Sequence, residues 1–177
     1  MERFFAISGC SGGGKSSLIE ALAALGFSVV PEPGRRIVAE EQAGEGKALP
    51  WVDMAAFARR AVAMAAADHR AMHDTAGPVF FDRGLVDAVA GLGHATGTVA
   101  IPDIVRKLRY NETVFMVPPW PEIYVNDAER RHGLEEGIAE YERLLDFYPK
   151  LGYRPVLLPK ADIETRTRFI LQQIGAY

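Results

Sequence analysis

The stretch Gly9-Cys10-Ser11-Gly12-Gly13-Gly14-Lys15-Ser16 constrains this chain more than any other. It fills the pattern G-x-x-x-x-G-K-[ST], a loop whose glycines turn the backbone with positive φ and bring its N–H groups within reach of phosphate oxygens. The flanks agree with that reading. Phe4, Phe5, Ala6 and Ile7 form a short apolar run suited to a buried strand, and Leu18, Leu22 and Leu25 recur at helical spacing after the loop. The order strand, glycine loop, helix sets a helix N-terminus beside the bound anion. Lys15 is expected to stand exposed on the loop and reach the β- and γ-phosphates. Ser16, with Ser17 behind it, opens the helix and offers a hydroxyl to Mg²⁺. A flexible Gly/Ser turn could match by chance, but it would not need the apolar run before it or the helix after it.

At 177 residues, 49% hydrophobic and 24% charged, the chain suits one compact domain, taken here as residues 1–177. A net charge of −3 argues against a nucleic-acid backbone as main partner. Cys10 is the only cysteine, so no intramolecular disulfide can form. No long uncharged apolar segment reads as a membrane span and no start reads as a secretion signal, so the expected setting is the cytoplasm. Assembly into a homo-oligomer stays open.

Past the first helix, strands and helices alternate. "FSVV", "VFF", "TVFMV" and "PVLL" read as four further strands. Asp53 can cap an alanine-rich helix through about Asp74, with Met54, Phe57, Ala61 and Met64 near one face. Leu85, Val86 and Val89 mark another helix, followed by a loop carrying Gly91, Gly93 and Gly97, and a short helix begins at Pro102 and Asp103. Leu134, Ile138, Tyr141, Leu145 and Tyr148 keep helical spacing, as do Ile163, Ile170 and Ile174. The expected fold is α/β: three layers, with a five-stranded, mainly parallel sheet covered by helices on both faces.

In such a sheet the ligand lies beyond the carboxyl ends of the strands, so residues just past each strand are the candidates for chemistry. Glu32 in "VVPEPGRR" follows the second strand, with Arg35 and Arg36 behind it. A carboxylate there can accept a proton from an acceptor hydroxyl while an arginine holds phosphate charge; otherwise the segment is a solvated turn into an amphipathic helix. Which arginine points inward stays open. Asp82 in "VFFDRG" ends the third strand, with Arg83 adjacent as a substrate-side candidate. It can hold Mg²⁺, act as base, or merely cap the next helix. Asp87, one turn on, reads as surface or as support. Arg130 and Arg131 in "NDAERRHG" sit between a proline break and a long helix, a place for a lid at about 118–133. Lys160 in "LPKAD" can line a nucleotide's base. Trp51, Trp120 and Tyr124 can stack on a base or simply pack. His69 and His73 stand four apart but lack the glutamate of H-E-x-x-H.

These motifs together resemble small P-loop kinases and AAA-type ATPases related to the nicotinamide riboside kinase domain and, more distantly, deoxynucleoside kinases. The resemblance spans nearly the whole chain. "GCSGGGKSS" resembles the family's phosphate loop, "EP" its acidic motif after the second strand, "DRG" the motif ending the third, and "NDAERRHG" its arginine-bearing lid. It implies ATP and Mg²⁺ as ligands, Glu32 or Asp82 as base or magnesium carboxylate, and Arg130 or Arg131 as lid arginine. The expected activity is phosphoryl transfer from ATP to a small molecule, nucleoside-like or a related metabolite. The alternatives are an ATPase driving a conformational change in a partner and a non-catalytic nucleotide-binding module. A GTPase switch fits less well. "DTAG" at Asp74 precedes the third strand rather than following it, and no N-K-x-D guanine motif is present.

Overall fold

The computed structural model describes residues 2–98, 100–123 and 133–176. Five strands form one sheet: β1 (Phe4–Gly9), β2 (Ser28–Val30), β3 (Val79–Asp82), β4 (Thr113–Val117) and β5 (Arg154–Leu157). Their order is β2-β3-β1-β4-β5, and every adjacent pair is parallel. Between them run α1 (Lys15–Ala24), α2 (Pro33–Ala43), α3 (Met54–Ala71), α4 (Leu85–Thr96), α5 (Asp103–Lys107) and α6 (Leu134–Lys150), and α7 (Ile163–Gln173) follows β5.

The central strands are apolar on both faces because both are covered. Phe4, Ala6, Val79, Phe81, Val114 and Met116 face one core, completed by residues of α3, α4 and α6. Phe5, Ile7, Phe80, Phe115 and Val117 face the other, where α1 and α7 supply Leu18, Leu22 and Ile170. The alternation follows from the two-residue period of a strand. Register sets the strand ends side by side: Ile7 pairs with Asp82, and Gly9 with Val117. The phosphate loop, the start of α2 and the turn after β3 therefore share one edge of the sheet, the crevice that this topology creates.

Several expectations change at the level of helices. α2 begins at Pro33 directly after Glu32, because proline at the first helical position carries the right φ and gives up only an N–H that has no partner there anyway. Leu25 is 58% exposed, as α1 ends at Ala24. Met54 is also exposed, and the buried face of α3 consists of Ala58, Ala61, Ala65, Ala66 and His69. Gly91 and Gly93 lie within α4, not in a loop, and Gly93 passes the Thr98 carbonyl so closely that an added Cβ would sit 2.9 Å from its oxygen. α3 packs along α4, and its own buried face is made mostly of alanines. His69 is buried, its Nε2 2.9 Å from the Arg109 carbonyl, whereas His73 is exposed with its Nδ1 3.0 Å from Asp74. Among the described residues no helix is long and apolar enough to cross a membrane.

Candidate active site around the phosphate loop

The loop is built by contacts that only glycine permits. Gly9 has φ 111°, and a Cβ there would lie 2.3 Å from the Val117 carbonyl oxygen; one at Gly13 would lie 2.3 Å from a Val117 methyl. Gly14, at φ 82°, is the N-cap of α1. Cys10 is fully buried beneath the loop and donates its backbone N–H to Val117 O at 2.9 Å. Lys15 is not exposed as the sequence suggested: it is 6% exposed and donates from Nζ to the Cys10 carbonyl at 3.0 Å. Burial lowers its pKa and the nearby Arg83 charge lowers it further, against the opposing pull of Asp82, Glu32 and Glu140. Ser16 is half-buried at the head of α1 and Ser17 is exposed.

Asp82 ends β3 and is 4% exposed, and its Oδ1 is buried without a hydrogen-bond partner. Its pKa is pushed up to about 6, first by burial and then by the Glu32 charge; Lys15, Arg83 and Arg35 pull the other way. Glu32 stands across from it at the N-terminus of α2, with Oε2 3.3 Å from Arg35 Nε and Oε1 3.2 Å from Arg83 Nε. The two neighbouring arginines diverge: Arg35 turns to Glu32, while Arg36 reaches Asp68 on α3 at 2.7 Å.

Arg83 is the hub of the site. Its guanidinium donates to Glu140 of α6 at 3.2 and 2.8 Å and to the Gly9 carbonyl at 3.3 Å, and it lies 3.6 Å from Asp87. Among the described residues it is also the one non-glycine with positive φ, 61°, a conformation that side chains other than Asn and Asp rarely adopt. Its pKa is held well above the ordinary value: three carboxylates outweigh the cost of burial. Asp87, which could have been surface, is 8% exposed. It accepts hydrogen bonds from Ser8 Oγ of β1, the Gly84 N–H at 2.9 Å and the Tyr148 hydroxyl of α6 at 2.5 Å. Burial raises its pKa against these donors. Arg83 is thus committed to protein carboxylates, and Asp87 supports it from behind.

Lys160 is exposed just past β5. Arg130 and Arg131 lie outside the described residues, as does most of the lid expected at 118–133; within it Pro121–Ile123 form one 3₁₀ turn. Arg166 of α7, which sequence reasoning passed over, is 1% exposed and donates from Nη1 to the Gly13 carbonyl at 3.0 Å. In "ETRTRF" it looks no different from the exposed Arg168, and only the packing of α7 on α1 turns it inward.

Among the described residues there is no group of three or more His, Cys, Asp or Glu side chains able to cage a metal alone. The chemistry present, one buried carboxylate with an unpartnered oxygen and one hydroxyl at a helix start, fits Mg²⁺, which keeps water and phosphate oxygens in its shell.

A family model described as an AAA domain matches residues 4–166. Solved structures of deoxyadenosine kinase from M. mycoides share the fold. The form with bound dATP has a TM-score of 0.60 and 16% identity over 98% of this chain and 99% of that one. The form with bound dCTP gives 0.63 and 18% over 98% and 100%. The form with the products dCMP and a flexible dCDP gives 0.63 and 16% over the same shares. At these identities the likeness is one of fold. No curated protein matches the sequence. The parallel sheet, the glycine loop between β1 and α1 and a family match across most of the length converge: the chain has the P-loop NTPase fold and belongs to the AAA domain family.

Proposed function

We propose that this chain binds ATP with Mg²⁺ and transfers the γ-phosphoryl group to a small-molecule acceptor, as one P-loop unit spanning residues 1–177 and working in the cytoplasm. The observation that carries the reading is the meeting of Lys15, Asp82 and Glu32 at one sheet edge, close enough for each carboxylate to influence the lysine and for Glu32 to raise the Asp82 pKa. A binding module needs the loop and the lysine; it has no use for two carboxylates held at mutual electrostatic cost.

In this reading the loop amides and Lys15 hold the β- and γ-phosphates, with Lys15 swinging from the Cys10 carbonyl onto phosphate oxygen. Ser16 and Asp82 would hold the metal. Mg²⁺, when bound, neutralises charge developing on the phosphoryl oxygens. Glu32 takes the proton from the acceptor hydroxyl, and Arg35 and Arg83 fix the carboxylate's direction. Arg130 or Arg131 closes over the transferring group, and Lys160 lies toward the base. The deoxyadenosine kinases that share the fold bind dATP and dCTP, which favours a nucleoside-like acceptor. The test is a screen for acceptor-dependent ADP release across nucleosides, nucleotides and small metabolites. Release that rises only with one acceptor class supports the kinase; equal release without any acceptor identifies an ATPase instead.

A further inference from the structure

Arg166 is a buried cation with no carboxylate partner among the described residues. Its side chain reaches from α7 to the phosphate loop, where Nη1 donates to Gly13 O at 3.0 Å and stands 2.9 Å from the position of a Cβ on Gly14. Nε and Nη2 are both buried without a hydrogen-bond partner among the described residues. Those two nitrogens form the side-on fork of a guanidinium, the pair that ordinarily grips an oxyanion. The described ion pairs of α7 leave it out, Arg168 taking Glu164. The Trp120 ring, its centroid 5.9 Å away, supplies only a weak cation–π contact. Burial lowers its pKa, and no acidic group among the described residues restores it.

A guanidinium in that state costs folding free energy unless something negative arrives. Its neighbour is the loop that, on the reading above, receives a triphosphate. In a trans peptide the C=O and N–H point in opposite directions, so a donor holding the Gly13 carbonyl turns the Gly14 N–H away from itself. We propose that Arg166 is a positioning residue of the phosphate loop that fixes the Gly13–Gly14 peptide and lends an uncompensated positive charge to the bound triphosphate. The inference rests on the nucleotide-binding reading of the same loop. It adds that the charge is held at the expense of the ligand-free fold.

The test combines calorimetric titration with magnesium tripolyphosphate and with Mg·ATP and thermal denaturation without ligand, on the wild type, Arg166→Met, Arg166→Lys and Lys15→Ala. Arg166→Met is expected to weaken tripolyphosphate and ATP by the same factor, about tenfold, while its ligand-free Tm stays level or rises. Arg166→Lys, which keeps the charge, should retain most of the affinity. A merely structural arginine gives the opposite pattern, a fallen Tm or a lost fold with phosphate affinity unchanged, and overturns the proposal. So does a loss confined to ATP, which would make Arg166 a reader of the base, or a lysine variant as weak as the methionine one. Wild-type protein that binds neither probe refutes the nucleotide reading itself. Wild-type binding that Lys15→Ala abolishes establishes that reading, whatever Arg166 does.

Discussion

Asp82 carries a signature that pH can read. Its folded pKa of about 6 lies above the ordinary 3.8, so the neutral acid is the form the ligand-free fold prefers. The stability this contributes is fully present below the unfolded value and is lost as pH rises through about 6, a change of about 3 kcal/mol. Asp82→Asn should therefore raise the ligand-free Tm at pH 7.5 relative to wild type and leave it nearly unchanged at pH 4, by calorimetry at both pH values. The same variant should raise the Mg²⁺ concentration needed for turnover. Glu32→Gln should instead keep Mg²⁺ and ATP binding and cut the transfer rate, because an amide cannot take the acceptor's proton. If excess Mg²⁺ restores Glu32→Gln and not Asp82→Asn, the two roles must be exchanged. Both carboxylates were legible in the sequence because each follows an apolar run at a strand end, and parallel sheets bind ligands there. Arg166 and the burial of Asp87 and Lys15 were not. Whether a charge on a helix or loop turns inward depends on how neighbouring elements pack, which spacing along the chain does not record.

Elements were legible in proportion to how far local pattern alone decides them. β1, β3 and β4 read as apolar runs because strands buried along their whole length admit few polar residues, while the edge strands β2 and β5 are only partly covered and read as shorter runs. The helices were harder. The inward face of α3 is a row of alanines rather than its larger Met54 and Met64, since close contact with α4 selects for small size. The seam of α6 runs through Gly137, Tyr141, Leu144 and Tyr148, and Gly137 lets the helix pass with a Cβ position only 3.4 Å from Cys10 Sγ. Through Tyr148 this helix also ties to Asp87, and through Glu140 to Arg83, so polar links fasten α6 to the first turn of α4 and to the turn after β3. Tyr148→Phe removes one of three donors to a buried carboxylate. It should cost about 1–3 kcal/mol in denaturant unfolding, with the loss smaller at low pH, where Asp87, its pKa already raised, takes up a proton and needs fewer donors.

For the molecule as a whole, the five-stranded sheet and its two cores supply stability, and the edge beyond β1, β2 and β3 gives some of it up. Lys15 is buried with a lowered pKa, Asp82 and Arg166 hold unpartnered polar atoms, and Arg83 sits at positive φ, all around one loop. A site assembled this way is strained when empty and relieved when filled, so the triphosphate should stabilise the entire fold. At a hundredfold excess over Kd, Mg·ATP adds about 2.7 kcal/mol. For a chain of this size that corresponds to a rise in Tm of about 5–10 °C. On the proposed function, Lys15→Ala removes the cation assigned to the phosphates and also a buried charge that the ligand-free protein holds at a cost. Its Tm without ligand should therefore equal or exceed the wild-type value, and the rise with Mg·ATP should vanish. GTP should raise the wild-type Tm less than ATP at equal concentration, since no guanine-reading motif follows the later strands. The measurement is a thermal melt of both proteins with no nucleotide, with Mg·ATP and with Mg·GTP. A Lys15→Ala protein that still gains several degrees from Mg·ATP would remove the phosphate assignment of the loop, and a larger rise with GTP would reverse the assignment of the base.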